Sequence, residues 1–145
     1  MTKAVAALLR MTKLNPIGRV SSPLTDRSAA PKQGDEGAPE AWLELAPEFA
    51  DAATDLKVGH EILILTWLDR ADRDVLRVRP RDNPTARIRG VFSTRSPDRP
   101  NPIGLHRATI VAVDGATRFR VSELEAIDGT PILDIKPVLK PERDR

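Results

Sequence analysis

Residues 107–138 read Arg-Ala-Thr-Ile-Val-Ala-Val-Asp-Gly-Ala-Thr-Arg-Phe-Arg-Val-Ser-Glu-Leu-Glu-Ala-Ile-Asp-Gly-Thr-Pro-Ile-Leu-Asp-Ile-Lys-Pro-Val, and this stretch decides the fold class. Residues 107–113 form a run rich in β-branched side chains. Asp114-Gly115 follows, a dipeptide suited to the tight turn of a β-hairpin. Residues 118–124 then alternate, with Phe119 and Val121 on one face and Arg118 and Arg120 on the other, the period of a strand with one buried side. Asp128-Gly129 marks another turn. Residues 132–138 make a further strand, and Pro137 places it at an edge or an end, because proline cannot donate to a ladder.

The pattern continues upstream. Residues 16–22 read as a short strand closed by Pro23. Residues 24–40 are polar, with Pro31, Gly34, Gly37 and Pro39, and read as a loop that is long for a compact domain. Residues 42–45 alternate as a strand. Residues 47–56 open on proline, carry acids early and end before Gly59, the signs of a short helix. Residues 61–68 are mostly apolar and read as a buried strand. Residues 75–79 alternate apolar with arginine until Pro80 stops them, and residues 86–93 read as one more strand. About eight strands, one or two helical turns and no alternating βαβ pattern give an all-β, mainly antiparallel fold. The expected architecture is a small closed or nearly closed β-barrel with one or two short helices. A single domain over residues 14–140 is expected between an N-terminal tail (1–13) and a charged C-terminal tail (141–145).

Composition narrows the chemistry. The 145 residues are enough for one domain with a modest core. There is no cysteine, which removes disulfides, thiolate metal sites and thiol nucleophiles. His60 and His106 are the only imidazoles and are not at a helical i,i+4 spacing, so no metal site is expected. No apolar run reaches the ~18–20 residues of a membrane span, and cytoplasmic residence is the default. There is no Walker A loop, no Gly-x-Gly-x-x-Gly and no Gly-x-Ser-x-Gly elbow.

The net charge of +2 is unevenly spread. Residues 70–107 hold ten arginines against four aspartates, whereas residues 35–61 hold eight acids and one lysine. An arginine-rich segment suits phosphate, because guanidinium forks match phosphate oxygens. A solvated strand face is the plainer reading of such a run.

That basic segment contains residues 90–104, Gly-Val-Phe-Ser-Thr-Arg-Ser-Pro-Asp-Arg-Pro-Asn-Pro-Ile-Gly. Pro97, Pro100 and Pro102 each fix φ near −65° and push Ser96, Arg99 and Asn101 toward extended backbone. Polar side chains on so stiff a loop are aimed at low entropic cost. A rigid turn capping the sheet would account for the composition equally well.

The segment resembles the signature of the TrmO/TsaA-like (YaeB/VirR) family, unbroken from Gly90 to Gly104. Further resemblance lies in Ile17-Gly18-x-Val20-x-Ser22-Pro23, in Pro31-Lys32-Gln33, and in Asp128-Gly129-Thr130-Pro131 followed by Asp134-Ile135-Lys136-Pro137. Four blocks in order cover about residues 14–140. The resemblance implies a dimerising β-barrel that binds S-adenosylmethionine. It implies methyl transfer to N6 of the threonylcarbamoyladenosine beside the anticodon of certain tRNAs.

Carried onto this sequence, the resemblance implies cofactor contacts at Gln33, Gly34, Asp35, Asp69, Arg70, Arg95, Leu105, Ser122, Glu123, Leu124 and Glu125. Asp69-Arg70 stands where family members often have a His-Gln-like pair. Glu123 and Glu125, read as alternate residues of one strand, share a face and suit a sulfonium cation. Arg95 suits the cofactor carboxylate. Asp128 is the candidate base, although a turn residue of the Asp-Gly-Thr-Pro block explains it as well, and Asn101 is the candidate for orienting substrate. Arg99, Arg107 and the arginines of 70–89 are the candidate tRNA phosphate contacts. The absence of tyrosine, with three Phe and two Trp, leaves little surface for stacking a base. Two rival readings therefore stand beside the tRNA methyltransferase. One is a methyltransferase of the same fold with a small-molecule acceptor. The other is a non-enzymatic barrel that binds the cofactor or RNA.

Overall fold

Alternation sends every second side chain of six strands into one interior. The computed structural model describes residues 1–10, 12–27, 30–31, 34–80 and 83–140. Among them a short helix, α1 (Lys3–Arg10), precedes eight strands: β1 (Gly18–Ser21), β2 (Ala41–Leu45), β3 (Glu61–Trp67), β4 (Arg77–Val78), β5 (Arg89–Gly90), β6 (Ile103–Asp114), β7 (Arg118–Val121) and β8 (Pro131–Pro137). Six of them close into a barrel in the order β1-β2-β7-β6-β3-β8, and β4 and β5 form a separate two-stranded ribbon. Every pairing is antiparallel.

The β6–β7 hairpin pairs Asp114 with Arg118, and Gly115 takes the positive φ of 68° that its turn requires. β8 pairs with β1 on one side and β3 on the other, so Pro137 marks the end of a central strand and not a sheet edge. Gly18 is where β1 passes so close to β2 that a Cβ would collide with the Glu44 carbonyl.

The core is the inner wall: Val20, Leu43, Ile62, Ile64, Ile110, Phe119, Val121 and Ile132 are fully or almost fully buried, with Leu124 closing it from the loop after β7. Each large side chain so buried contributes about 1.5–3 kcal/mol. Phe119 and Val121 face inward as the alternation predicts. Arg118 and Arg120 face out, where their guanidinium carbons lie 4.4 and 5.7 Å from the ring centre of Trp42.

Four expectations change. Residues 47–53 form a 3₁₀ helix. The strands expected over 75–79 and 86–93 shrink to two residues each, and the second gives way to a 3₁₀ turn at Val91–Ser93. β6 begins at Ile103, inside the proline-rich segment. β7 stops at Val121, so Glu123 and Glu125 are not on a strand; Glu123 has a φ of 38°, which ends the extended backbone.

Candidate functional site

One end of the barrel collects the loops that matter. β3 and β7 end there, β6 and β8 begin there, β1 ends there, and β2 begins there, as the registers Trp67↔Ile103, Arg19↔Pro131 and Ala41↔Val121 require. The proline-rich loop, the segment 68–73, the loop 22–27, the residues before β2 and the stretch 122–130 therefore gather at this end of the barrel.

Side chains hold the proline-rich loop in place. Arg99 turns inward, its Nη2 donating to the Val91 and Thr94 carbonyls. Asp98 joins two other segments, accepting from the Asp72 N–H at 2.9 Å and from Arg27 Nη2 at 2.7 Å. The Thr94 and Ser96 hydroxyls each accept the N–H two residues on, the local turns such residues favour. Arg73 reaches across from the facing segment, with Nε donating to the Pro100 carbonyl at 2.8 Å and Nη2 to Asn101 Oδ1 at 3.2 Å, while its guanidinium lies 5.2 Å from the Trp67 ring centre. Arg99 and Arg73 thus tie down the Val91, Thr94 and Pro100 carbonyls of a segment whose prolines supply no backbone donors.

The stretch 122–130 is fastened as firmly. Ser122 exchanges two hydrogen bonds with the backbone of Thr109, donating its N–H at 2.9 Å and accepting at its hydroxyl at 3.1 Å. The Leu124 N–H donates to the Pro39 carbonyl at 3.0 Å, and its side chain is buried. Asp128 Oδ1 accepts from the Ser22 N–H at 3.0 Å, and the Gly129 N–H donates to the Val20 carbonyl at 2.8 Å. Asp128 thus joins the last turn to the end of β1.

Most of the candidate residues lie in the loops at this end. Asp69 and Arg70 follow β3, and Arg70 Nη1 donates to the Thr25 carbonyl at 3.3 Å. Gly34 and Asp35 lie in a 3₁₀ turn that packs beside β6. Gln33 lies outside the described residues. Arg95 is exposed on the proline-rich loop, and Leu105 is exposed on the outer face of β6. Arg107 stands apart on the outer wall, its Nη2 2.5 Å from Glu61 Oε2. Arg99 is committed to two carbonyls, and Asn101 to Arg73. Arg77, Arg79, Arg87 and Arg89 are exposed, Arg79 donating to the Ala86 carbonyl at 2.8 Å, and Arg81 lies outside the described residues.

Glu123 and Glu125 have opposite surroundings. Glu123 is exposed, whereas Glu125 turns to the interior and places Oε1 2.5 Å from His106 Nδ1. His106, weighed from the sequence only as a metal ligand, is a buried partner of that carboxylate. Its signal was parity: Gly104, His106, Ala108 and Ile110 are alternate residues of one strand, and all face inward. Among the described residues no group of three or more metal-binding side chains converges, and no helix is long and apolar enough to cross a membrane.

Comparison with known proteins agrees with this architecture. The family model described as the tRNA-methyltransferase O N-terminal domain matches residues 19–144. A probable S-adenosyl-L-methionine-binding protein of Methanothermobacter thermautotrophicus is 43% identical over 125 residues, covering 86% of this chain and 88% of that protein. An S-adenosyl-L-methionine-binding protein of Archaeoglobus fulgidus is 42% identical over 123 residues, 85% of this chain and 86% of the relative. The crystal structure of a TrmO superposes with a TM-score of 0.71 at 33% identity, covering 92% of this chain. The present chain spans 60% of that larger one. With one family model running through the barrel, the proline-rich loop and the last turn alike, the chain belongs to the tRNA-methyltransferase O N-terminal domain family.

Proposed function

We propose that this barrel binds S-adenosylmethionine at its loop-lined end and transfers the cofactor's methyl group to a tRNA, at N6 of a threonylcarbamoylated adenosine. The observation that carries the reading is that the family signature loop and the stretch 122–130, separate in sequence, are both fastened at one end of the barrel. The relatives named for S-adenosylmethionine binding support the cofactor.

The residues fit such a ligand. Glu125 offers a mostly enclosed carboxylate to a sulfonium. Arg95 offers an exposed guanidinium to the amino-acid carboxylate. Gln33, Gly34, Asp35, Asp69, Arg70, Leu105, Ser122, Glu123 and Leu124 are the further proposed cofactor contacts. Bound S-adenosylmethionine supplies an activated methyl group. The chain itself would hold donor and acceptor in line and exclude water, where most of the acceleration of such a transfer arises.

Asp128 and Asn101 are the proposed groups for handling the acceptor nitrogen. Each already holds one structural hydrogen bond, which fixes its side chain. Arg107 and the ribbon arginines are the proposed phosphate contacts, Arg99 acting through the shape of the loop it pins. A homodimer would double this basic surface. A second reading, a cofactor-binding barrel without transfer, is favoured by the relatives' names, which state binding alone.

The test is calorimetric titration with S-adenosylmethionine of the intact chain and of Arg95→Ala, followed by methyl transfer from labelled cofactor to bulk tRNA. Saturable binding weakened in the variant, with label entering tRNA, supports the full reading. Binding without transfer to tRNA or to a metabolite extract leaves the binding barrel. If tRNA binds through the arginines, its affinity falls steeply between 50 and 200 mM salt, by about 10³-fold or more for six or more phosphate contacts.

A further inference from the structure

Three polar side chains stand in line inside the barrel end. Thr66 Oγ1 lies 2.6 Å from His106 Nε2, and His106 Nδ1 lies 2.5 Å from Glu125 Oε1. Thr66 is fully enclosed, the His106 side chain is 4% exposed and that of Glu125 13%. Polar groups so deep are costly unless each is paired, and here each pairs with the next. The line also needs space: a Cβ on Gly104 would lie 2.6 Å from His106 Nε2 and closer still to Thr66 Oγ1. The last glycine of the proline-rich signature therefore leaves room for it.

Hydroxyl, imidazole and carboxylate in sequence is also the order of a hydrolytic triad. In that use the hydroxyl is the open end. Here the hydroxyl is sealed and the carboxylate is at the rim, so the group able to meet a ligand is Glu125. An ionised Glu125 only accepts, so Nδ1 carries the proton donated to it, and Nε2 of the neutral ring then accepts from the Thr66 hydroxyl. The backbone supports this orientation. Leu124 is anchored in the core, and the positive φ at Glu123 directs Glu125 inward while Glu123 faces solvent.

We infer that His106 is a positioning residue: it grips one oxygen of Glu125, so that the carboxylate stands preset at the rim as the acceptor for a cationic sulfonium, and it thereby makes the site prefer the charged methyl donor over its neutral thioether product. This inference rests on the cofactor reading above. A sulfonium offers no N–H or O–H, so charge is the property by which a protein separates it from the thioether. A carboxylate locked during folding loses no freedom on binding, which is how preset dipoles and charges act most strongly. Once the methyl group has left, the attraction is gone, and product release is favoured.

The experiment measures dissociation constants for S-adenosylmethionine and S-adenosylhomocysteine, with thermal unfolding alongside, for the unaltered chain and for Glu125→Gln, His106→Ala and His106→Asn. Glu125→Gln is the variant least able to disturb folding, since its amide oxygen still accepts from Nδ1. The expected result is a preference for the sulfonium that falls about tenfold in Glu125→Gln, the scale of one screened charge pair, while thioether affinity holds within about twofold. His106→Ala lowers the same ratio, and His106→Asn, whose amide can donate from near the Nδ1 position, restores part of it. Equal weakening of both ligands in folded variants, or an unchanged ratio, overturns the inference while leaving cofactor binding intact. An unaltered chain that binds neither ligand overturns the cofactor reading and this inference with it.

Discussion

The barrel and the arginine-rich region from 70 to 102 are built on opposite principles. In the barrel, apolar side chains face one another and, the enclosed Thr66–His106–Glu125 line apart, charged ones face water. In the arginine-rich region the order is reversed: Leu76 is 66% exposed and Phe92 85%, while charged side chains, Arg73, Asp98 and Arg99, make the internal contacts. The barrel is stabilised by burial, which is non-directional and tolerant. The loop is held by directional hydrogen bonds from a few side chains to particular carbonyls. Stability thus resides in one region, and the precise placement of a polar surface resides in the other.

Substitutions can break that contrast at graded points. The largest effect is expected for Phe119→Ala, which empties the centre of the barrel and should cost about 3–5 kcal/mol in denaturant unfolding; a loss under 1 kcal/mol would mean that the barrel core is not where stability lies. Gly104→Ala comes next. It drives a methyl group into the Thr66–His106 contact, and about 1–3 kcal/mol is expected from such overpacking, read as a lower unfolding midpoint. Arg99→Ala should cost about 1–2 kcal/mol and raise amide hydrogen exchange across residues 91–101 without affecting the barrel strands. Arg99→Lys should fail to restore it, because a single ammonium cannot reproduce the guanidinium fork. Uniform exchange throughout the molecule would show that loop and barrel unfold together. The smallest effect belongs to Phe92→Ser, expected to change stability by no more than about 0.5 kcal/mol. A large loss there would reveal a partner for that ring and redraw the boundary between the two regions.

The same contrast explains what the sequence disclosed. The barrel strands were legible because alternation has a buried side to face: Phe119 and Val121 against Arg118 and Arg120 left no ambiguity, and two Asp-Gly turns marked the corners. The expected closed or nearly closed barrel is the one observed, but periodicity alone did not show its closure, since nothing local to β1 or β8 states that they pair. The strands expected over 75–79 and 86–93 carried similar alternation, but Leu76 and Ile88 are exposed, and among the described residues pairing ceases after two residues.

At this end, the stiffness of the proline-rich loop could be read from its three prolines, but not the inward turn of Arg99, whose acceptors, the Val91 and Thr94 carbonyls, come within its reach only in the folded loop. Glu123 and Glu125 were assigned one face by assuming extended backbone, and a single positive φ separates them. His106 passed unnoticed as a partner because the residues it joins, Thr66 and Glu125, are 40 and 19 positions away.

The place of β8 in the barrel bears on synthesis. It lies between β1 and β3, so two of the six seams of the cylinder form only when the last of its strands becomes available. While the chain emerges from the ribosome at roughly 5–20 residues per second, β1 and β3 wait with open hydrogen-bonding edges, the condition under which strands of neighbouring chains pair wrongly. Arg19 on β1 and Glu61 on β3 are exposed charges, and each opposes pairing of its strand with the same strand of a neighbouring chain. A nascent chain stalled before residue 131 would therefore be a client for chaperones, whereas one released a few residues later could complete its own wall.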